Sequence, residues 1–92
     1  MTIKSHCRFE LPVWVEPFLE SWLIPLSTIS QRMQLTVALS AENIRQETGG
    51  PFAAVVVDEV TGELVSVGMN MVISSGLSMA HAEMIALSLA QS

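Results

Sequence analysis

The sequence predicts a small α/β domain in which two helices flank a β-hairpin. Three observations support this prediction. An amphipathic pattern of helical period follows Thr28, two runs rich in β-branched residues are separated by a polar turn, and a second apolar helical pattern lies near residue 92. The 28 residues before the first helix differ from the rest, and the predicted order is arm, helix, hairpin, helix.

Residues 1–28 are interpreted as an irregular N-terminal arm. Proline interrupts a helix because it lacks the backbone N–H and clashes with the preceding turn. The arm prolines are Pro12, Pro17 and Pro25. Large apolar side chains such as Trp14 and Trp22 still need burial, so we expect a short helical piece within residues 15–23. It would pack on the domain or on a second subunit; the alternative is an untethered tail.

The first long helix is predicted to begin after Thr28 or Ser30. Either side chain can cap it, because the unpaired N–H groups of a first turn need a short polar acceptor. The residues expected on its apolar stripe, at i, i+4, i+8 and i+11, are Met33, Val37, Ala41 and Ile44. Residues 48–51, Thr-Gly-Gly-Pro, end the helix, since glycine suits the left-handed position that often follows a helix.

The hairpin is predicted from two apolar runs. Residues 52–57 are rich in valine, as expected for a strand that is covered on both faces. Residues 58–63 form a polar turn that contains a glycine, and residues 64–69 form the second strand. The stretch that follows, residues 71–78, is interpreted as a loop.

A second helix is predicted for residues 79–89, with Ser78 as its N-cap. His81 would then lie in its first turn. The residues expected on the inner stripe are Ala82, Ile85, Ala86 and Leu89.

Composition limits the classes of function. Four basic residues against nine acidic ones give a net charge of −5, which argues against a protein that binds nucleic acid. No apolar run reaches the roughly 18 to 20 residues needed to cross a bilayer. The single cysteine, Cys7, excludes an internal disulfide and is compatible with a reducing compartment. We therefore expect a cytoplasmic protein without nucleic-acid or membrane partners.

The most specific motif is Ala-His-Ala-Glu at residues 80–83. H-x-E is the first half of a zinc-deaminase site, in which the histidine binds the metal and the glutamate moves protons. The motif follows Gly-Gly-Pro-Phe at residues 49–52 and Gly68-Met69-Asn70. With these residues in this order, the chain resembles the cytidine and deoxycytidylate deaminase superfamily, and within it the bacterial guanine deaminases. The resemblance covers residues 33–91.

The resemblance implies both a fold and a site. The fold is a three-layer α/β/α sandwich, of which residues 29–92 would be the N-terminal half. His81 would bind Zn²⁺, Glu83 would be the catalytic proton carrier, and Asn70 and Phe52 would contact the substrate. From the residues alone two alternatives stay open. Phe52 could be a core residue of a strand, and Asn70 could be a turn residue that satisfies local backbone.

The second half of the motif, P-C-x-x-C, does not occur in the printed sequence. Because catalytic zinc takes three protein ligands, we expect a truncated deaminase that alone neither retains Zn²⁺ nor is active. Three hypotheses follow. The favoured one is a fragment of an enzyme that hydrolyses an exocyclic amine of guanine or a related nucleobase or nucleoside. The others are a non-catalytic interaction protein that pairs with a full-length relative, and half of a split enzyme. A homodimer of the intact form is compatible with the apolar arm.

Overall fold

The computed structural model describes residues 3–92, so the first two residues of the predicted arm lie outside the described part. Six elements follow one another along the chain: α1 (Val15–Glu20), α2 (Ile29–Arg45), β1 (Ala53–Val57), β2 (Leu64–Met69), α3 (Val72–Ser75) and α4 (Ala82–Gln91). The predicted hairpin strands agree with the structure to within one residue, and α1 lies inside the predicted helical piece of the arm. The stretch predicted as a loop contains the short helix α3, which is a correction.

The two strands form an antiparallel pair in which Ala53 lies opposite Met69 and Val55 lies opposite Val67. Opposite residues share a face of the sheet, so these four side chains point to one layer and Gly68 points to the other. Both α2 and α4 contact β1, as expected for a strand covered on both faces, but every residue of β1 is only half-buried. The reason is that β2 is the only strand that pairs with β1 among residues 3–92, which leaves the other edge of β1 unpaired.

The sheet lies between the two long helices. On one face, Val67 and Met69 share a buried cluster with Leu35 and Leu39 of α2. On the other face, the Ser66 hydroxyl donates a hydrogen bond of 2.6 Å to the carbonyl of Ala86 in α4. The predicted three-layer α/β/α arrangement is therefore confirmed.

Thr28, and not Ser30, caps α2. The Thr28 hydroxyl accepts a hydrogen bond of 3.1 Å from the Gln31 backbone N–H, while the Gln31 side-chain oxygen accepts one of 3.1 Å from the Thr28 N–H. This reciprocal capping box satisfies two donors that the first turn would otherwise leave unpaired. It fixes the residue at which α2 begins.

The predicted apolar stripe of α2 is wrong. The buried residues are Leu35, Leu39 and Asn43, which follow one another at intervals of four. The residues of the predicted stripe are exposed instead: Met33, Val37, Ala41 and Ile44. Apolar side chains occupy two faces of this helix, so helical periodicity alone did not decide between them. The buried face is the one that carries the polar Asn43, whose hydrogen bonds are described below.

The end of α2 also differs from the prediction. The left-handed residue is Glu47, with φ of 57°, and not a glycine. The Glu47 N–H bonds to the carbonyl of Ile44 at 2.9 Å, and the Thr48 N–H bonds to that of Asn43 at 3.0 Å. This pair of hydrogen bonds is the Schellman ending of a helix. It carries the Thr48 side chain back beneath the last turn of α2.

The start of α4 was predicted too early. The carbonyl of Ala80 accepts a hydrogen bond of 2.8 Å from the Met71 N–H, and His81 has an extended backbone with ψ of 155°. His81, and not Ser78, is therefore the N-cap residue, and the helix begins at Ala82. The predicted inner stripe agrees with the structure. Its members Ala82, Ile85 and Ala86 are buried, and Leu89 packs against the core.

The arm packs against the same core as the sheet. Val15 is buried, and Trp14, Phe18 and Trp22 contact the buried cluster from α1 and its flanks. The Phe18 ring lies edge-on to Trp14 and stacks on Trp22, with ring centroids 5.7 Å and 6.0 Å apart. Across residues 3–92, the helices are too short or too polar to cross a membrane.

Candidate active site

One cavity of about 320 Å³ brings together every residue that the sequence singled out for chemistry. Its lining residues are Phe52, Asn70, His81, Ala82 and Glu83. They come from two sides of the fold. We call Phe52 and Asn70, which flank the hairpin, the Phe52–Asn70 wall, and we call His81 to Glu83 the α4 wall.

The α4 wall is the start of a helix. His81 is the N-cap, Glu83 lies in the first turn, and Ala82 between them is buried while both chemistry-bearing side chains are exposed. The His81 side chain makes no capping hydrogen bond, so its ring is not used to hold the helix. The unpaired N–H groups of a first turn give this end of a helix a positive potential, which favours anionic groups nearby.

A glycine fixes the position of α4 against the sheet. A Cβ atom on Gly68 would lie 2.1 Å from the Ala82 carbonyl oxygen and 2.6 Å from the Ala86 nitrogen. Only glycine permits such an approach of two backbones. The first turn of α4 therefore rests directly on β2, and the distance between His81 and the sheet is set by the absence of a side chain.

The Phe52–Asn70 wall is joined by backbone pairing. The Asn70 N–H donates to the Phe52 carbonyl at 3.0 Å, next to the last ladder pair of the sheet. The Phe52 side chain is 62% exposed, so it is not a core residue among residues 3–92. The Asn70 side-chain oxygen accepts a hydrogen bond of 3.3 Å from the Val72 N–H. This is the local role that the sequence left open, and it orients the carboxamide at the rim of the cavity.

A buried polar residue that the sequence analysis did not single out lies behind this wall. The Asn43 side chain is completely buried, and its nitrogen donates to the carbonyls of Gly50 and Asn70, both at 3.0 Å. A signal for it exists in the sequence. Asn43 continues the spacing of Leu35 and Leu39, and a polar residue in register with buried leucines is expected to be buried and hydrogen-bonded.

The side chains at the cavity provide only part of the ligand set that a catalytic zinc ion needs. Among residues 3–92, no group of three or more His, Cys, Asp or Glu side chains is placed so that it could hold a metal ion. Catalytic zinc takes three protein ligands and one open position. His81 suits one of these ligand positions, since its ring is exposed and faces the cavity. The other two are not found in this part of the chain.

Comparison with known proteins gives a consistent result. A family model described as the cytidine and deoxycytidylate deaminase zinc-binding region matches residues 26–92, and no curated protein matches the chain. The guanine deaminase from Nitrosomonas europaea is 33% identical, with a TM-score of 0.81 over 99% of this chain and 49% of that chain. NE0047 in complex with 2,6-diaminopurine is 37% identical, with a TM-score of 0.79 over 91% of this chain and 43% of that one.

The guanine deaminase from Bacillus subtilis is 33% identical, with a TM-score of 0.61 over 68% of this chain and 39% of that one. The chain thus spans less than half of the length of each of these three structures. The family model covers most of the sequence, including both walls of the cavity. The chain belongs to the cytidine and deoxycytidylate deaminase family.

Proposed function

We propose that this chain supplies one half of the active site of a zinc-dependent hydrolytic deaminase that acts on guanine or a closely related nucleobase. The observation that carries the proposal is that one cavity is lined by Phe52, Asn70, His81 and Glu83 together. Similar solved structures support the substrate class. They include guanine deaminases and complexes of NE0047 with 8-azaguanine and 2,6-diaminopurine. The proposed reaction belongs to purine metabolism, and we place it in the cytoplasm.

In this proposal His81 is a zinc ligand through a neutral ring nitrogen. Zinc, when bound, lowers the pKa of water enough to make it a nucleophile near neutral pH. The N-cap position suits His81 because its ring makes no capping hydrogen bond there and lines the cavity.

Glu83 is the proposed proton carrier. In hydrolysis of an exocyclic amine, water forms a bond to the ring carbon, the carbon–nitrogen bond breaks, and ammonia leaves. Glu83 takes the first proton of the attacking water and gives it to the ring nitrogen. It then takes the second proton from the hydroxyl formed on the ring carbon and gives it to the leaving amine. Its carboxylate is available for this because it is exposed at the cavity and lies one residue beyond the buried Ala82.

Phe52 and Asn70 are the proposed contacts to the base. A nucleobase has a flat π-face and polar edges, which suit an aromatic ring and a carboxamide. The Asn70 oxygen already accepts the Val72 N–H, whereas its side-chain nitrogen makes none of the hydrogen bonds found within residues 3–92. That nitrogen is the donor we assign to an acceptor on the substrate.

The two further zinc ligands are proposed to come from a P-C-x-x-C segment outside these 92 residues, either in the intact protein or in a second chain. The 92-residue chain by itself would then hold less than stoichiometric zinc and would not deaminate. Metal analysis of the purified chain and an ammonia assay with guanine test this expectation. A chain with near-equimolar zinc and guanine turnover would contradict it.

A chimera tests the function directly. Residues 1–92 would be joined to the part of the Nitrosomonas guanine deaminase that lies beyond the matched region, which the 33% identity and high TM-score make feasible. We expect the chimera to bind about one zinc and to release ammonia from guanine. Glu83→Gln should keep the zinc and lower kcat by about 10²-fold or more, while His81→Ala should lose the metal.

The control is Glu63→Gln, an exposed glutamate of the hairpin turn, which should change neither zinc content nor rate. Two results would overturn the proposal. One is a Glu83→Gln chimera as active as its parent. The other is a folded, zinc-loaded chimera that releases ammonia from neither guanine nor 2,6-diaminopurine.

A further inference from the structure

A chain of hydrogen bonds runs from the N-terminal arm to the cavity. The Trp14 indole N–H donates to the Thr48 hydroxyl at 3.0 Å, and that hydroxyl donates to the Asn43 side-chain oxygen at 2.6 Å. Asn43 then donates both of its amide hydrogens, one to the carbonyl of Gly50 and one to that of Asn70. We call Trp14, Thr48 and Asn43 the Asn43 network.

The direction of the network is fixed by chemistry. Carbonyl oxygens only accept, so the Asn43 nitrogen must face Gly50 and Asn70, and the Asn43 oxygen must face Thr48. A flipped carboxamide would place an oxygen against two carbonyl oxygens. All donors therefore point from the arm towards the cavity, an arrangement in which successive hydrogen bonds strengthen one another.

One of the two carbonyls that Asn43 holds belongs to Asn70 of the Phe52–Asn70 wall, and the other, that of Gly50, is bonded to Phe52. The Gly50 carbonyl also accepts the Phe52 N–H at 2.9 Å, and the Phe52 carbonyl accepts the Asn70 N–H at 3.0 Å. The Asn43 amide thus ties together the backbone on both sides of the wall. A change in its position would shift Phe52 relative to Asn70.

Two local features show that this junction is tightly built. A Cβ atom on Gly49 would lie 1.8 Å from the Asn70 carbonyl oxygen and 2.8 Å from the Asn43 side-chain nitrogen, so only glycine fits. Glu47 adopts a left-handed backbone, which disfavours residues other than glycine, and the turn it makes brings Thr48 to Asn43. Strain of this kind persists only where the surroundings impose it.

The two tryptophans of the arm differ in the hydrogen bonding of their indole nitrogens. The Trp14 indole nitrogen has a partner in Thr48, whereas the Trp22 indole nitrogen is buried without a hydrogen-bond partner among residues 3–92. Both rings pack against the core and both contact Phe18. Only Trp14 therefore connects the arm to the cavity through a polar contact.

We infer that Asn43 is a positioning residue for base recognition and that the arm takes part in it through Trp14 and Thr48. This inference rests on the proposed function, because Phe52 and Asn70 are the base contacts of that proposal. In structural terms, the Asn43 network holds the Phe52–Asn70 wall in position and does not determine the position of the α4 wall.

Amide hydrogen exchange on the ¹⁵N-labelled 92-residue chain tests whether the network holds only the Phe52–Asn70 wall, and the measurement needs neither zinc nor substrate. The two reporters are the Asn70 N–H, bonded to the Phe52 carbonyl, and the Ile85 N–H, bonded to the His81 carbonyl. Thr48→Val removes the hydroxyl at nearly constant volume, and we expect exchange at Asn70 to rise about tenfold with little change at Ile85. Thr48→Ser restores the hydroxyl and should return exchange at Asn70 to the parent value.

The matched pair of arm variants is Trp14→Phe and Trp22→Phe. Both keep an aromatic ring, but only the first removes a donor of the network. Faster exchange at Asn70 in Trp14→Phe and unchanged exchange in Trp22→Phe supports the inference. Equal acceleration at Asn70 and Ile85, or equal effects of the two tryptophan variants, overturns it, because either result reports stability alone.

Activity of the chimera separates this inference from the proposed function. Trp14→Phe should raise KM for guanine about tenfold at unchanged zinc content, and Trp22→Phe should leave KM unchanged. A parent chimera that is folded and zinc-loaded but inactive overturns the proposed function, while the exchange data still decide whether the Asn43 network holds the wall. If the parent chimera is active and its Trp14→Phe variant has the KM and the Asn70 exchange rate of the parent, this inference is overturned and the proposed function is not.

Discussion

The two walls of the cavity are held in place by different groups. The Phe52–Asn70 wall is backed by the buried carboxamide of Asn43, which bonds to the carbonyls of Gly50 and Asn70. The α4 wall is placed by the backbone contact at Gly68 and by the Ser66 hydrogen bond to α4, and the side chains of His81 and Glu83 are exposed.

This difference fits the division of labour that we propose. The wall assigned to base recognition is held by hydrogen bonds within residues 3–92, from Asn43 to Asn70 and between Asn70 and Phe52. The wall assigned to zinc offers one ligand, whose orientation within residues 3–92 is not fixed by a hydrogen bond to the helix. Further ligands would supply that restraint. Variants that act on one wall at a time show whether the two are independent.

Gly68→Ala is the substitution with the largest expected effect, and it acts on the α4 wall. The new methyl group would lie 2.1 Å from the Ala82 carbonyl oxygen, so either the helix or the strand must move. Overpacking against backbone costs about 3 kcal/mol, which urea unfolding of the 92-residue chain would measure.

Gly50→Ala is the control for Gly68→Ala. The nearest atom to a Cβ at Gly50 is 3.6 Å away on the Phe52 ring, which is an ordinary contact. We expect a loss of less than about 0.5 kcal/mol. Similar free energies of unfolding for the two variants would mean that the contact at Gly68 does not place α4.

The sequence predicted the helices and strands better than it predicted which face of each is buried. The hairpin followed from β-branched runs around a polar turn, and residue type narrowed the cap of α2 to Thr28 or Ser30. The face of α2 was predicted wrongly, because Leu35 and Met33 start two stripes of equal period and only contacts distant in sequence distinguish them. Asn43 was missed for the same reason, since its partners Gly50 and Asn70 are brought to it by the fold.

The candidate site was predicted from motif and resemblance, and its residues meet at one cavity. The residue at which α4 begins was predicted wrongly. Residues 78–80 have the composition of a helix start. They are held in a turn because the Met71 N–H bonds to the Ala80 carbonyl, a contact that spans nine residues and leaves no local signal. The roles of Phe52, Asn70, His81 and Glu83 stay predictions until the chimera is assayed.

Glu47→Gly tests the backbone strain at position 47, next to the residues that hold the Phe52–Asn70 wall. Its expected effect on the free energy of unfolding is smaller than that of Gly68→Ala and is stabilising. Glycine adopts the left-handed backbone of position 47 without the steric cost of a side chain, so the variant should be more stable by about 1 kcal/mol. For a domain of this size that gain corresponds to a rise of about 5 °C in Tm, measured by thermal unfolding.

Gln46→Gly is the matched control for Glu47→Gly, because position 46 has a right-handed backbone with φ of −83°. Glycine there gains nothing and loses more conformational freedom on folding, so Tm should fall. If both variants lowered Tm, the left-handed conformation of Glu47 would not be a source of strain.

The smallest expected effect concerns an exposed ion pair beside the buried carboxamide. Hydrogen bonds from Arg45, and then from Gln46, lower the pKa of Glu42 from 4.5 to about 2. A carboxyl group whose pKa is lower in the folded state stabilises the fold above its unfolded pKa and loses this contribution as the pH falls through the folded pKa. Glu42 should therefore contribute to stability above pH 4.5 and cease to do so as the pH falls towards 2.

Glu42→Gln should remove that share of the acid sensitivity, and 1 M salt should weaken it in the parent, because the Arg45 guanidinium is exposed and screened. Urea unfolding at several pH values measures both effects. The protection factor of the Asn70 N–H, which corrects its exchange rate for the intrinsic pH dependence of amide exchange, should stay constant across the same range, since neither Asn43 nor Thr48 titrates. If this protection factor followed the titration of Glu42, the last turn of α2, and not the Asn43 network alone, would hold the Phe52–Asn70 wall.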